Sequence, residues 1–171
     1  SVLLLMLGVR EPQRTDNGAA GHPIRRDALR RLGAGYGRVV AIGAVFTLAR
    51  FSEAFLVLRA QQLGVAAAFV PLVMVAMSLV YALSAYPFGR LADTMSHPTL
   101  LAGGLLTLVA ADVALALAAG WPVLLLGVAL WGLHMGMTQG LLAAMVADTA
   151  PADLRGTAFG LFNLVSGLAM L

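Results

Sequence analysis

Apolar runs of bilayer length constrain this chain more than any other feature. From about Val39 to Leu58, Val65 to Phe88, Thr99 to Ala119 and Val123 to Ala147, hydrophobic residues follow one another with almost no charge between them. A helix rises about 1.5 Å per residue and the hydrocarbon core of a bilayer is about 30 Å thick, so about 20 such residues cross it. The charge content points the same way. Only 11% of the residues are charged, against about 25% in an ordinary soluble domain. A very apolar soluble helical core is the alternative, and several runs of spanning length argue against it. The expected fold class is therefore an all-α membrane protein surrounded by the lipid bilayer. The chain has no cysteine, which excludes a disulfide scaffold, an iron–sulfur centre and any Cys-based zinc site.

The ends of the chain carry a further expectation. Ser1 leads directly into an apolar run that stops at Val9, far too short to span and without the basic stretch that precedes a signal peptide. Residues 157–171 are apolar but only 15 long. Both stretches are expected to be parts of longer transmembrane helices, with residues 1–9 the tail of one and 157–171 the truncated start of another. The chain would then be a piece of a longer membrane protein.

Charge is concentrated between the runs. All eleven basic residues are arginine, and seven of them (Arg10, Arg14, Arg25, Arg26, Arg30, Arg31 and Arg38) lie in the polar segment 10–38. Asp16 to Pro23 has linker composition. Ile24, Ala28 and Leu32 then recur every four residues, with Arg25, Arg26, Arg30 and Arg31 on the other faces. This predicts either a short amphipathic helix on anionic headgroups or a solvated basic loop. The Gly33-Ala-Gly35-Tyr-Gly37 run is no nucleotide site, because no strand precedes it and no Lys-Ser/Thr follows. Numbering the loops alternately puts 10–38, 89–98 and 148–156 on one side of the membrane with nine arginines. The segments 59–64 and 120–122 fall on the other side with one. The arginine-rich side is expected to be cytoplasmic, in the plasma or inner membrane. That asymmetry accounts for the net charge of +3 without any nucleic-acid partner.

Ionisable groups inside spans mark candidate pathways, since a charge at the helix centre costs roughly 2.5–3.5 kcal/mol on insertion scales. Arg50 and Glu53 lie near the middle of the 39–58 run, one helical turn apart, with Thr47 a turn earlier on the same face. They read either as a wet binding or proton site or as a self-satisfied ion pair. His134 and Gln139 lie in the 123–147 run among Gly132, Gly136 and Gly140, whose four-residue spacing predicts close helix packing. His134 can exchange a proton near neutral pH or bond a neighbouring helix. Asp112 reads as packing or partial solvation. Tyr81, Ser84, Tyr86 and Asn163 are candidate polar linings, and Met74, Met77, Met135 and Met137 read as adaptable packing. No metal-spaced cluster, Gly-x-Ser-x-Gly elbow or catalytic carboxylate pair is present, so neither an enzyme nor a resident cofactor is expected.

Two loops carry family-level signatures. Gly89, Leu91, Ala92 and Asp93 match the pattern Gly-x-Leu-Ala-Asp-basic-x-Gly-basic-basic, while Thr94, Ser96, His97 and Pro98 depart from it. Pro151-Ala-Asp-Leu-Arg-Gly-Thr-Ala-Phe-Gly160 supplies the second. With the long basic segment ahead of closely connected helices, the chain resembles the middle and second half of a twelve-helix major facilitator superfamily transporter. The resemblance implies that residues 1–9 end helix six and that 10–38 form the central loop. Residues 39–171 would be the C-terminal bundle, from helix seven into helix eleven. It implies a missing N-terminal half as structural partner and a small-molecule solute as cargo. It also implies that Arg50 and Glu53 border a central cavity, and that Gly89, Arg90, Asp93, Arg155 and Gly156 belong to a gating latch between halves. Pro151 and Asp153 suit the first turn of a helix, and Gly156 and Gly160 a close helix approach. The functional expectation is secondary active transport by alternating access, with proton-coupled export of a small molecule leading and metabolite uptake or metal export open. The contrasting expectation is a membrane scaffold or sensor that moves no solute.

The arginine asymmetry makes a direct prediction. In the full-length protein, Gln61→Cys should react with a membrane-impermeant thiol reagent from the outside and Ser96→Cys only from the cytoplasmic side. Labelling of residue 61 from the cytoplasm would overturn the assignment.

Overall fold

The computed structural model describes residues 26–50 and 54–170. The expectations for residues 1–9, for the linker at 16–23 and for Glu53 lie outside these residues. Six helices make up the fold: α1 (Arg26–Ala49), α2 (Ala54–Gln62), α3 (Val70–Ala92), α4 (His97–Ala116), α5 (Trp121–Thr149) and α6 (Arg155–Ala169). Short 3₁₀ turns, Ala67–Phe69 and Ala152–Leu154, precede α3 and α6. Four helical stretches are long and apolar enough to cross a membrane: Arg31–Gln62, Ala67–Ala92, His97–Ala116 and Trp121–Thr149. The 15 residues of α6 rise only about 22 Å.

Helices α4 and α5 begin earlier than the apolar pattern suggests and α3 and α5 end later, while α3 begins later, at Val70, and α4 ends earlier, at Ala116. Pro71, Pro98 and Pro122 each sit in the first turn of a helix, where the absent N–H has no intrahelical partner to lose. His97 and Trp121 are thereby drawn into α4 and α5. Helix α3 does not stop at Phe88. It continues through Pro87 to Ala92, so Gly89, Arg90, Leu91 and Ala92 form its last turn and the true loop is Asp93–Ser96. Likewise α1 begins at Arg26, not Val39, interrupted at Gly33 where φ is 73° and ψ 177°. A side chain with a Cβ adopts that conformation only under strain. The first apolar run is also not one continuous helix. Helix α1 stops at Ala49, Arg50 is a bend, and α2 is described from Ala54.

Helix α5 is the spine of the bundle. Its glycines set how closely its neighbours approach. A Cβ on Gly132 would run into the Met77 carbonyl and the Tyr81 amide of α3, and one on Gly136 into the Ser84 side chain and the Ala85 amide. On the other side, Gly127 faces the Leu115 side chain of α4, and Gly104 of α4 faces the Thr138 methyl. The expected small-residue face is thus built by Gly132 and Gly136. Gly140 has nothing within 4 Å of its would-be Cβ, and neither do Gly156 and Gly160, so no helix among the described residues packs there. Around the glycine contacts, Trp131, Leu124, Val128, Leu108, Leu115, Val73 and Leu56 are nearly or fully buried in one core.

Of the amphipathic segment, Ile24, Arg25 and the side chains of Arg26, Ala28 and Arg30 lie outside the described residues, while Leu32 docks on the bundle. Leu32, Tyr36 and Val39 are buried against Val146, Ala150 and Ala158 at the adjoining ends of α5 and α6. The Tyr36 hydroxyl donates to the Ala158 carbonyl at 2.8 Å, and Arg31 pairs with Asp153 at 2.8 Å. Both side chains of that ion pair are more than half exposed, so the pair contributes at most about 1 kcal/mol and the apolar contact does most of the docking. Arg59, the one arginine on the arginine-poor side, lies at the end of α2. Its guanidinium donates to the carbonyls of Leu115, Ala116 and Ala118 at 3.0, 3.2 and 2.8 Å. It therefore supplies donors to carbonyls at and just beyond the C-terminus of α4, at the end of the helix dipole that favours a cation.

Large apolar side chains cover the outside of the bundle, among them Leu72, Val75, Leu79 and Leu83 on α3 and Leu106, Val109, Val113 and Leu117 on α4. Such faces suit hydrocarbon, in which every backbone polar group must be satisfied within the helices. The glycine contacts give the sharpest test. Gly136→Leu should destabilise the folded protein in detergent by about 1–3 kcal/mol through overpacking, read as a lowered thermal midpoint. Gly140→Leu should leave it nearly unchanged.

Candidate functional site: a cavity between three helices

The break at Arg50 brings its guanidinium-bearing side chain to a cavity of about 440 Å³ between α1, α5 and α6. Phe46, Thr47 and Arg50 line it from α1. His134, Thr138, Gln139, Leu142 and Ala143 line it from α5, and Phe159, Phe162, Asn163, Ser166 and Gly167 from α6. The wall is held by local contacts. Gly43 lets the Phe162 ring lie directly on α1. The Thr47 hydroxyl donates to the Gly43 carbonyl at 2.8 Å, and the Thr138 hydroxyl donates to the His134 carbonyl at 2.8 Å. In both threonines the hydroxyl proton is thus already spent on the backbone, and the Thr138 methyl is turned to Gly104.

His134 is only 1% exposed. Its Nδ1 lies 2.8 Å from the Gly104 carbonyl, and a carbonyl only accepts, so Nδ1 carries the proton and Nε2 of the neutral ring is the acceptor. The ring lies nearly parallel to Phe46, with centroids 6.4 Å apart, and edge-on to Trp131 at 6.5 Å. His134 therefore bridges α5 to α4 while forming part of the cavity wall. Gly104 makes that bridge possible, because a larger residue there would meet Thr138.

Of the residues singled out from the sequence, Thr47, Arg50, His134, Gln139 and Asn163 share this cavity. Asp112 does not line it; its Oδ1 is buried with no hydrogen-bond partner among the described residues. Tyr81 and Ser84 face α5 instead, with the Ser84 hydroxyl donating to the Tyr81 carbonyl at 3.0 Å. Tyr86 is exposed, 6.0 Å from the Arg90 guanidinium. Met137 packs beside Gly103 and accepts from the Thr107 hydroxyl at 3.6 Å. Among the described residues, no group of three His, Cys, Asp or Glu side chains is placed to hold a metal.

The family model of the Major Facilitator Superfamily matches residues 3–171. The chain belongs to the major facilitator superfamily. It is 32% identical over 138 residues to an uncharacterized MFS-type transporter from Methanocaldococcus jannaschii. That alignment takes in 77% of this chain and 35% of the relative, so the chain spans about a third of the relative's length. No solved structure matches.

The loop residues Gly89 to Asp93 and the Arg155–Gly156 turn do not line the cavity, whereas Phe159, near the end of the second motif, does. Asp93 is exposed just beyond α3, where Thr94 donates to the Leu91 carbonyl at 3.1 Å and the Ser96 and Thr99 hydroxyls meet at 2.6 Å. Arg155 and Gly156 open α6 and are exposed. Among the described residues neither Asp93 nor Arg155 forms an ion pair. Asp153 lies in the 3₁₀ turn ahead of α6, and its carboxylate is engaged by Arg31 and does not cap the helix. Several lining residues escape the sequence pattern. Thr138 and Ser166 look unremarkable in an apolar run, although Ser166 follows Asn163 by three residues and so shares its face. Phe46, Phe159 and Phe162 carry no signal separating a cavity wall from a lipid-facing ring.

The His134 bridge predicts a stability effect. His134→Phe keeps the ring but leaves the Gly104 carbonyl with one partner fewer, and should cost about 1–3 kcal/mol, read as a lowered thermal midpoint in detergent.

Proposed function

We propose that this chain forms one side of the solute path of a secondary active transporter that works by alternating access, with proton-coupled export of a small molecule as the leading mode. The reading rests on one observation. Five polar residues from three different helices, Thr47, Arg50, His134, Gln139 and Asn163, converge on a single cavity in a major facilitator superfamily chain. A half-buried guanidinium within a membrane span is expensive, and its position at a helix break beside a cavity is where solute and coupling ion are held in transporters built from discontinuous helices. His134 offers an unprotonated Nε2 in its neutral form, which suits reversible proton uptake. The companion half of the full-length protein would close the open side of the cavity, and the cytoplasmic loops would form the latch. In that arrangement Gly89 and Arg90 shape the end of α3, Asp93 reaches the opposite half, and the Arg155–Gly156 turn receives the equivalent loop.

Cysteine accessibility in the full-length protein tests the reading against a scaffold or sensor. In oriented vesicles, Asn163→Cys and Gln139→Cys should react with an impermeant thiol reagent from both sides of the membrane, and Leu79→Cys from neither. Reaction from one side only would favour a non-transporting protein. Asp93→Ala should lower solute flux at least several-fold without lowering the amount of protein in the membrane, and unchanged flux would remove the latch.

A further inference from the structure

We infer that the cavity selects an organic monoanion, a single carboxylate or comparable acid group carried on an aromatic or compact apolar body. This inference rests on the transport reading and names the class of solute for the same site. Its first support is charge. Among the described residues Arg50 is the one charged side chain lining the cavity. It is half-buried, and none of its five N–H donors is engaged in a hydrogen bond with another described residue. A planar guanidinium whose fork is open matches a carboxylate or phosphate-like group with two parallel hydrogen bonds. A second negative charge on the solute would find no second cation on this wall, and an unpaired buried charge is strongly unfavourable.

The hydrogen-bond inventory agrees. Thr47 and Thr138 have spent their protons on backbone carbonyls, and His134 has spent Nδ1–H on Gly104. Gln139, Asn163 and Ser166 remain as donors on the same cavity wall. No carboxylate lines the described cavity, so an ammonium group would meet a repelling cation and only neutral acceptors. The body of the solute is set by the rest of the wall. Phe46, Phe159 and Phe162 supply aromatic faces and edges, against which a flat ring packs with a gain beyond area alone. The volume, about 440 Å³, holds a single-ring acid comfortably and falls within the range of small-molecule sites.

Benzoate, benzamide and benzylamine differ in charge at nearly constant shape and separate the possibilities. Each, radiolabelled, is dialysed to equilibrium against the purified full-length transporter in detergent. Benzoate should bind at least tenfold more tightly than benzamide or benzylamine. Arg50→Gln should weaken benzoate at least tenfold while leaving benzamide unchanged, and Arg50→Lys should retain part of the benzoate affinity. Equal thermal midpoints for the variants would show that the loss is not unfolding. Comparable binding of benzamide or benzylamine, or benzoate binding that ignores Arg50→Gln, would overturn the anion assignment. If that binding nevertheless fell in Asn163→Ala, the cavity would stand as a solute site of another class. Absence of binding by all three probes would also overturn it, and is the result expected if Glu53, three residues away, already neutralises Arg50. The two-sided cysteine labelling decides the transport reading independently of any of these outcomes.

Discussion

The fold depends on two glycines of α5 lying directly on the backbone of α3. In lipid, surrounding hydrocarbon is as apolar as any leucine, so helices gain little from hiding apolar side chains against one another. What remains is contact area and hydrogen bonding. Gly132 and Gly136 remove the Cβ atoms that would hold α3 away. The resulting approach lets Val73, Met77 and Ser84 settle against α5, and it fixes the face of α5 that is left for α4 and for the cavity. Gly104 on α4 repeats the device from the opposite side. The His134 hydrogen bond and the Trp131 core both lie along the strip these glycines define.

From that spine the other elements divide by depth. Near the end of α5 that bears Val146 and Ala150, Leu32, Tyr36 and Val39 of α1 close over the junction with α6. Near its start, Leu124 and Val128 meet Leu115 and Leu56. Between these plugs α5 turns Thr138, Gln139 and Leu142 toward open space, and α1 and α6 complete three walls of a cavity. The polar residues there are tolerated because they face one another across that space and not hydrocarbon. Their neighbours on the outward faces, such as Val45, Leu48, Leu164 and Leu168, are apolar and exposed.

Much of this was legible in the sequence, because run length and charge placement report directly on the bilayer. The helices, their order and the family followed from those signals and two short loop motifs. Thr47, Arg50, His134 and Gln139 stood out for the same reason, as polar groups in runs where each carries a cost. Helix ends were misjudged wherever a proline or a glycine was read as a stop. Pro98 and Pro122 start helices, and Pro87 lies inside one, since a proline costs only the hydrogen bonds and clashes its own position creates. The interruption at Arg50 carried no such mark. Neither the docking of Leu32 and Tyr36 nor the reach of Arg59 to α4 was legible, because each joins segments far apart in the chain and no local pattern encodes it.

The guanidinium of Arg59 has a mechanical meaning beyond capping a helix. By gripping three carbonyls at the end of α4, it ties α2 to the α3–α4–α5 block. Meanwhile α1 is fastened to α6 through Tyr36 and the seat of Phe162 on Gly43. The first apolar run is therefore held by two sets of contacts, its start against α5 and α6 and its end against the C-terminus of α4. Arg50, the bend between these two sets of contacts, lines the cavity, so a shift of either set reaches that cation directly.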